Sequence, residues 1–135
     1  MHAVKLKPKV MLVEDDRTMA SLLRVLLEIE GYNVVVWESS QASLSEADIL
    51  SEIKIARPDL LLLDAHVYDI NGLNILRQLR ADELNPKDVQ IKDIHILVSS
   101  GLDLSDECSA EKADAFILKP YMPDELIGLI HKILC

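Results

Sequence analysis

Positive charge is scarce in this sequence: 14 lysines and arginines face 23 aspartates and glutamates, a formal net charge of -9 over 135 residues. Direct nucleic-acid binding needs a basic footprint, and adhesion to anionic lipid needs a polybasic segment, so both are set aside. Cysteine is nearly absent. Cys108 and Cys135 are too few for the disulfide framework of a small secreted domain. No apolar run approaches the roughly 20 residues that cross a bilayer. The opening MHAVKLKPKV has lysines but no apolar h-region or cleavage site. Internal repeats, low-complexity tracts and linkers are missing as well. These absences leave a soluble, cytoplasmic protein as the expectation.

What is present is an apolar half. Hydrophobic residues make up 50% of the chain, and its length suits one domain with a packed core. Short apolar runs stand at VMLV (10–13), VVVW (34–37), LLLL (60–63), IHILV (94–98) and AFIL (115–118). Between them the period lengthens to that of a helix. Met19, Leu22, Leu23, Leu26, Leu27 and Ile29 mark one helix, stopped at Gly31. Leu44, Ala47, Ile49, Leu50, Ile53 and Ile55 mark a second, ended by ARPD, and Leu73, Leu76 and Leu79 a third, followed by the breaker NPKD. A helix is only weakly signalled within 102–114. The last is the cleanest: Pro123 takes the first position, Asp124 and Glu125 complement its positive end, and Leu126, Ile127, Ile130, Ile133 and Leu134 face inward. Strands alternating with helices predict βαβ units around a parallel sheet, with helices on both faces. The stretches 38–48 and 80–93 are long for simple connections and read as surface elaborations.

The informative residues follow the strands. Glu14, Asp15 and Asp16 come after the first, Asp64 after the third, Ser99, Ser100 and Gly101 after the fourth, and Lys119 and Pro120 after the fifth. In a parallel sheet these carboxyl ends share one edge, where open α/β folds place their ligand crevice. Crowded carboxylates protonate unless a cation offsets them. Oxygen donors without a cysteine or histidine cluster favour a hard cation such as Mg2+. A lysine and a serine opposite that cation suit a phosphoryl group, and one carboxylate can then become an aspartyl phosphate. Plainer roles compete at each position: capping for Asp64 and the acidic pair, a satisfied turn for Ser100, a surface charge for Lys119, core packing for Phe116. Asp16 reads as a cap, Gly72 as a helix-entry turn, Trp37 as strand-end packing, His95 as a strand residue and His131 as a helix-surface residue.

Taken together, VMLVEDD, LLLDAHVYDINGL, HILVSSG and ADAFILKPY resemble the receiver domain of two-component response regulators, of the chemotaxis-regulator type, from about Lys9 to Leu134. The resemblance implies a flavodoxin-like three-layer sandwich, with a five-stranded parallel sheet in the order 2-1-3-4-5 and five helices. Residues 1–8 would be an N-terminal extension and 9–135 the receiver domain. Asp64 becomes the phosphoryl acceptor. Glu14 and Asp15 become the metal-binding pair, Asp15 directly and Glu14 through water. The ion, Mg2+ with Mn2+ able to substitute, would also take Asp64 and the backbone carbonyl of His66. Ser100 takes the switch hydroxyl, with Ser99 as the alternative register, and Phe116 takes the switch-aromatic position. Lys119 would pair with the phosphoryl group, and Lys119–Pro120 matches a bond that is commonly cis. The donor would be a sensor histidine kinase or a histidine phosphotransfer protein. The domain would catalyse only its own phosphorylation and dephosphorylation, and a homodimer through the fourth-helix to fifth-helix face is compatible with it. The cognate kinase and the output partner are not specified.

Some positions depart from the family pattern. Tyr68 stands where proline is usual and Asn71 where a second aspartate is frequent. Lys112 replaces a glycine common before Ala-Asp, so that turn is expected to be built differently. Ala65, His66 and Leu102 occupy positions that influence dephosphorylation, and none offers an obvious group to position water, which leaves the phosphoryl lifetime open. Two other classes compete. A pseudo-receiver would bind partners without phosphorylation, which the complete set of primary residues disfavours. A metal-dependent phosphohydrolase would commonly carry a second acid where this chain has His66. The sequence ends directly after the last helix, as either a stand-alone receiver or a piece of a longer regulator would.

Overall fold

A computed structural model of the chain describes residues 7–38, 45–81 and 93–135. Leu44, the NPKD breaker and most of both long connections lie outside these residues. Five strands form one parallel sheet: β1 (Lys9–Val13), β2 (Asn33–Val36), β3 (Leu60–Asp64), β4 (His95–Ser100) and β5 (Ala115–Leu118). Their order is β2-β1-β3-β4-β5, as expected for the doubly wound class. The described residues form five helices: α1 (Arg17–Ile29), α2 (Glu46–Ala56), α3 (Gly72–Arg80), α4 (Ser105–Ala110) and α5 (Pro123–Leu134). A short antiparallel hairpin, His66–Val67 against Ile70–Asn71, bridges β3 and α3.

The central strands are apolar throughout because both faces of the sheet are covered. Alternate residues supply two cores. Met11, Val13, Leu61, Leu63, Ile96 and Val98 pack with Ile49 and Ile53 of α2 and Ile75, Leu76 and Leu79 of α3. Val10, Leu12, Leu60, Leu62, Leu97 and Ile117 pack with Leu23 and Leu27 of α1 and Leu126 and Ile130 of α5. Each such buried leucine or isoleucine contributes about 1.5–3 kcal/mol relative to exposure, so the two cores fix the register that brings the strand ends level.

Helix boundaries follow local chemistry. Asp16 caps α1 by accepting from the Met19 N–H at 3.1 Å, and Ser45 and Asn71 cap α2 and α3 in the same way. Pro123 opens α5 with Asp124 and Glu125 in its first turn. Two apolar stripes are narrower than their sequences suggest. In α1 the buried face is Ala20, Leu23 and Leu27, while Leu22 and Ile29 are 45% and 74% exposed. In α2 Ile49 and Ile53 turn inward and Ile55 is 76% exposed. A helix lying on a sheet buries one stripe at three- and four-residue steps, and an apolar residue outside that stripe rotates into solvent.

Two positions show how close the backbone packing is. Lys112 has a φ of 66°, the left-handed conformation that glycine favours. The turn is therefore not rebuilt as expected: lysine adopts the glycine geometry. Arg80 holds it there, donating to the carbonyls of Lys112 (3.1 Å) and Ile94 (2.8 Å) and pairing with Asp114 (2.9 Å). Gly72 does more than open a helix. A Cβ at that position would lie 2.2 Å from the Asp64 carbonyl oxygen and 2.9 Å from Ala65 Cα. Both are backbone atoms, so α3 can approach the end of β3 only with glycine there. Gly72→Ala should cost about 3 kcal/mol or more, as overpacking against rigid backbone does. Urea unfolding measures this, and a midpoint equal to the wild type's would contradict the packing.

Candidate functional site

The strand order places the acidic groups before any side-chain detail is considered. β1 and β3 are neighbours, with Val13 paired to Leu63, so Glu14 and Asp15 emerge beside Asp64. Ligand oxygens of Glu14, Asp15 and Asp64 lie within 4.8 Å of one another. Glu14 and Asp64 are buried, at 3% and 6% exposure, and Asp15 is half-buried. β5 reaches the same edge from two strands away. Lys119 Nζ lies 2.8 Å from Glu14 Oε1 and 2.9 Å from Asp64 Oδ2, and the Lys119–Pro120 peptide is cis.

Main-chain donors complete the arrangement. The His66 N–H donates to Asp64 Oδ1 at 3.1 Å and the Tyr68 N–H to Asp15 Oδ2 at 2.9 Å. The His66 side chain is exposed. Ser99 and Ser100 are both buried at the end of β4. The Ser99 carbonyl accepts from Ala65 N–H (2.8 Å) and the Ser100 carbonyl from Lys119 N–H (2.7 Å), which ties the ends of β3, β4 and β5 together. Ser100 Oγ accepts from Leu102 N–H at 3.0 Å, so its hydroxyl oxygen is engaged with the loop rather than with the carboxylates. Phe116 is partly buried against the core of α2 and α3. Trp37 is buried and His95 lies on β4 as expected, while His131 uses Nδ1 to meet the Tyr32 hydroxyl at 2.7 Å.

One ammonium, bonded to Glu14 and Asp64, stands among three carboxylates, and the electrostatics show the deficit. Burial, then hydrogen bonding and repulsion from Asp64, push Glu14 up to about 7, against the opposing pull of Lys119. Burial works against the Lys119 charge, but hydrogen bonds and attraction from Glu14 and Asp64 outweigh it and hold the ammonium above its ordinary value. An all-oxygen, charge-deficient donor set fits a hard divalent cation such as Mg2+. Two features escaped the sequence reading. The Tyr68 N–H is a backbone group with no sequence signal. Tyr121, after the Lys-Pro pair, buries a hydroxyl with no partner among the described residues. Burial and the nearby Glu14 push that phenol up to about 12.

This fold and this edge define a response regulator receiver domain. The family model for that domain matches residues 10–131, and the chain belongs to the family, whose members are generally signalling modules of two-component systems rather than enzymes. Among curated relatives, the transcriptional regulatory protein CpxR of Escherichia coli (strain K12) is 35% identical over 127 residues, 93% of this chain and 49% of CpxR. The cell cycle transcriptional regulator CtrA of Caulobacter vibrioides (strain NA1000 / CB15N) is 30% identical over 125 residues, again 93% and 49%. The chain thus spans about half the length of these relatives. Among solved structures, a CheY-like receiver domain protein from Methanospirillum hungatei JF-1 is 26% identical with a TM-score of 0.73, covering 96% of this chain and 94% of that one. The chemotaxis response regulator CheY4 of Vibrio cholerae, 20% identical, shares the fold with a TM-score of 0.76 over 94% of this chain and 98% of its own. No helix among the described residues is long and apolar enough to cross a membrane.

The Glu14 shift sets a pH dependence. A carboxyl raised from 4.5 to about 7 binds its proton more tightly in the folded protein. Its stabilising contribution is complete below the unfolded value and is lost as pH rises through about 7. Glu14→Gln removes that ionisation and keeps an acceptor for Lys119. In thermal melts with chelator, the variant should have a Tm about 3 °C above the wild type's near pH 8. The difference should shrink toward pH 5. Equal melting temperatures near pH 8 would contradict the assignment.

Proposed function

We propose that the chain accepts a phosphoryl group on Asp64 from a sensor histidine kinase or histidine phosphotransfer protein, in a Mg2+-dependent reaction, and so switches a partner-binding surface. The observation that supports this reading is the Lys119 ammonium bridging Glu14 and Asp64, with Asp15 alongside. The cation would be held by Glu14, Asp15, Asp64 and the His66 carbonyl, with Mn2+ able to replace Mg2+. It supplies positive charge against the phosphoryl oxygens. We place the reaction in the cytoplasm, with residues 9–135 acting as one receiver unit and 1–8 as an extension of it.

The roles of the chain's own groups follow from their positions. An Asp64 oxygen forms the new O–P bond as the donor's P–N bond breaks, and the imidazole leaves with the electron pair. The His66 N–H stays on Asp64 Oδ1 and fixes the carboxylate's orientation. Lys119 gives up a carboxylate oxygen and pairs with the phosphoryl group, so its charge moves with the negative charge it balances. Ser100 turns its hydroxyl from the Leu102 N–H to the phosphoryl oxygens, and Phe116 follows into the space it leaves. Ser99 is the other candidate for this role. The change reaches the face formed by α4, β5 and α5, where a target or a second copy of the chain would dock. In this reading the domain catalyses only its own modification, and it acts on protein partners rather than on nucleic acid or membrane.

Incubation with acetyl phosphate, followed by intact mass, tests the reading. A single phosphoryl adduct should form with Mg2+, fail to form with chelator and be absent from Asp64→Asn. Ser100→Ala should still form the adduct while Phe116 resonances no longer respond to it, and Ser99→Ala should keep that response. An adduct on Asp64→Asn would overturn the assignment. So would its absence from folded wild type, even with a cognate kinase, and a working pseudo-receiver would then be the better reading.

A further inference from the structure

Tyr121 directly follows the Lys-Pro pair and belongs to the core that α1 and α5 share with the sheet. The residue is only 7% exposed, yet its hydroxyl has no hydrogen-bond partner among the described residues. A buried hydroxyl nearly always finds a partner, and one that does not raises the free energy of the state that leaves it so. The surroundings show which partner is in range. Tyr121 lines a crevice of about 420 Å3 together with Glu14, Asp16, Met19, Lys119 and Pro120. Lys119 only donates, and Asp16 is exposed and caps α1 through the Met19 N–H. The buried Glu14 carboxylate is therefore the strong side-chain acceptor of this wall. Its oxygens are already engaged: Oε1 receives Lys119 Nζ at 2.8 Å, and Oε2 the Asp16 N–H at a long 3.4 Å.

We propose that Tyr121 is a positioning residue for Glu14, its hydroxyl taking the carboxylate as Lys119 turns to a phosphoryl group on Asp64. This rests on the phosphoacceptor reading of Asp64. One ammonium cannot hold two buried carboxylates and also meet the phosphoryl oxygens at full strength. As Lys119 moves, Glu14 Oε1 loses its donor at 3% exposure, where water is poorly placed to replace it. The phenol keeps its proton, since burial and Glu14 both oppose its ionisation, and a donor to an ionised carboxylate makes a strong hydrogen bond. The hydroxyl is then orphaned before transfer and satisfied after it, so it favours the modified state. A divalent cation would still carry most of the charge, and the hydroxyl tunes the switch rather than enabling it.

Tyr121→Phe deletes the hydroxyl and keeps the ring. In thermal melts of the full chain with chelator, its Tm should equal or exceed the wild type's, because no resting contact is lost. Mg2+ titrations followed by amide NMR should give the two proteins the same affinity, since Lys119 stays on Glu14. Beryllofluoride occupies a carboxylate oxygen as a phosphoryl group does. At saturating Mg2+ it should bind Tyr121→Phe about fivefold more weakly. Equal beryllofluoride affinities would overturn this inference. So would a lower Tm with chelator or a matching loss of Mg2+ affinity, because the hydroxyl would then serve the resting structure. Those results leave the phosphoacceptor reading intact, whereas a wild type that binds Mg2+ but no beryllofluoride would overturn both.

Discussion

One ammonium between two buried carboxylates is the interaction on which this site depends. Lys119 reaches Glu14 and Asp64 at hydrogen-bonding distance, and both acids are nearly removed from water. Left without a partner, a buried charge costs about 3–5 kcal/mol, so the edge of the sheet tolerates its acids only while a cation is present. Even with Lys119 in place the charge is not balanced, since Glu14 is pushed up to about 7 by burial and by Asp64. The site is built with a shortage of positive charge. A hard cation bound there would relieve that shortage, and a phosphoryl group on Asp64 would redistribute the positive charge around it.

The fold supplies this arrangement through strand order and a few close approaches. With β1 and β3 adjacent, the acidic pair and Asp64 meet without any long side chain. β5, two strands removed from β3, needs a long side chain to take part, and lysine provides one. Backbone hydrogen bonds from Ala65 to Ser99 and from Lys119 to Ser100 hold the three strand ends together. Gly72 lets α3 press against the carbonyl of Asp64, which leaves that residue little freedom to shift. The left-handed residue Tyr68 brings a main-chain N–H onto Asp15.

The sheet was legible because each apolar run is bounded by a change of period, and the site because each run ends in a polar residue. Glu14, Asp15, Asp64 and Lys119 could be brought together on paper, since a parallel sheet has only one carboxyl edge. Finer features were not legible. Leu22, Ile29 and Ile55 fit the helical period, yet the helices turn them to solvent, because period alone does not fix which stripe meets the sheet. Lys112 suggested a different turn, but Arg80, from a separate helix, holds the lysine in the glycine geometry. The Tyr68 N–H and the buried Tyr121 hydroxyl are contacts made by tertiary structure, and no local pattern announces them. The engagement of Ser100 with Leu102 is equally invisible in the sequence, because a hydroxyl's partner depends on the loop it faces.

The central claim concerns one carboxylate among several within reach. Reduction of the phosphorylated protein with borohydride converts an aspartyl phosphate into homoserine, and peptide mass mapping locates the converted residue. Conversion at position 64 alone is the result this account predicts. Conversion at Asp15 or Asp69 instead would contradict it, because the phosphoryl group would then lie on a carboxylate that Lys119 does not hold.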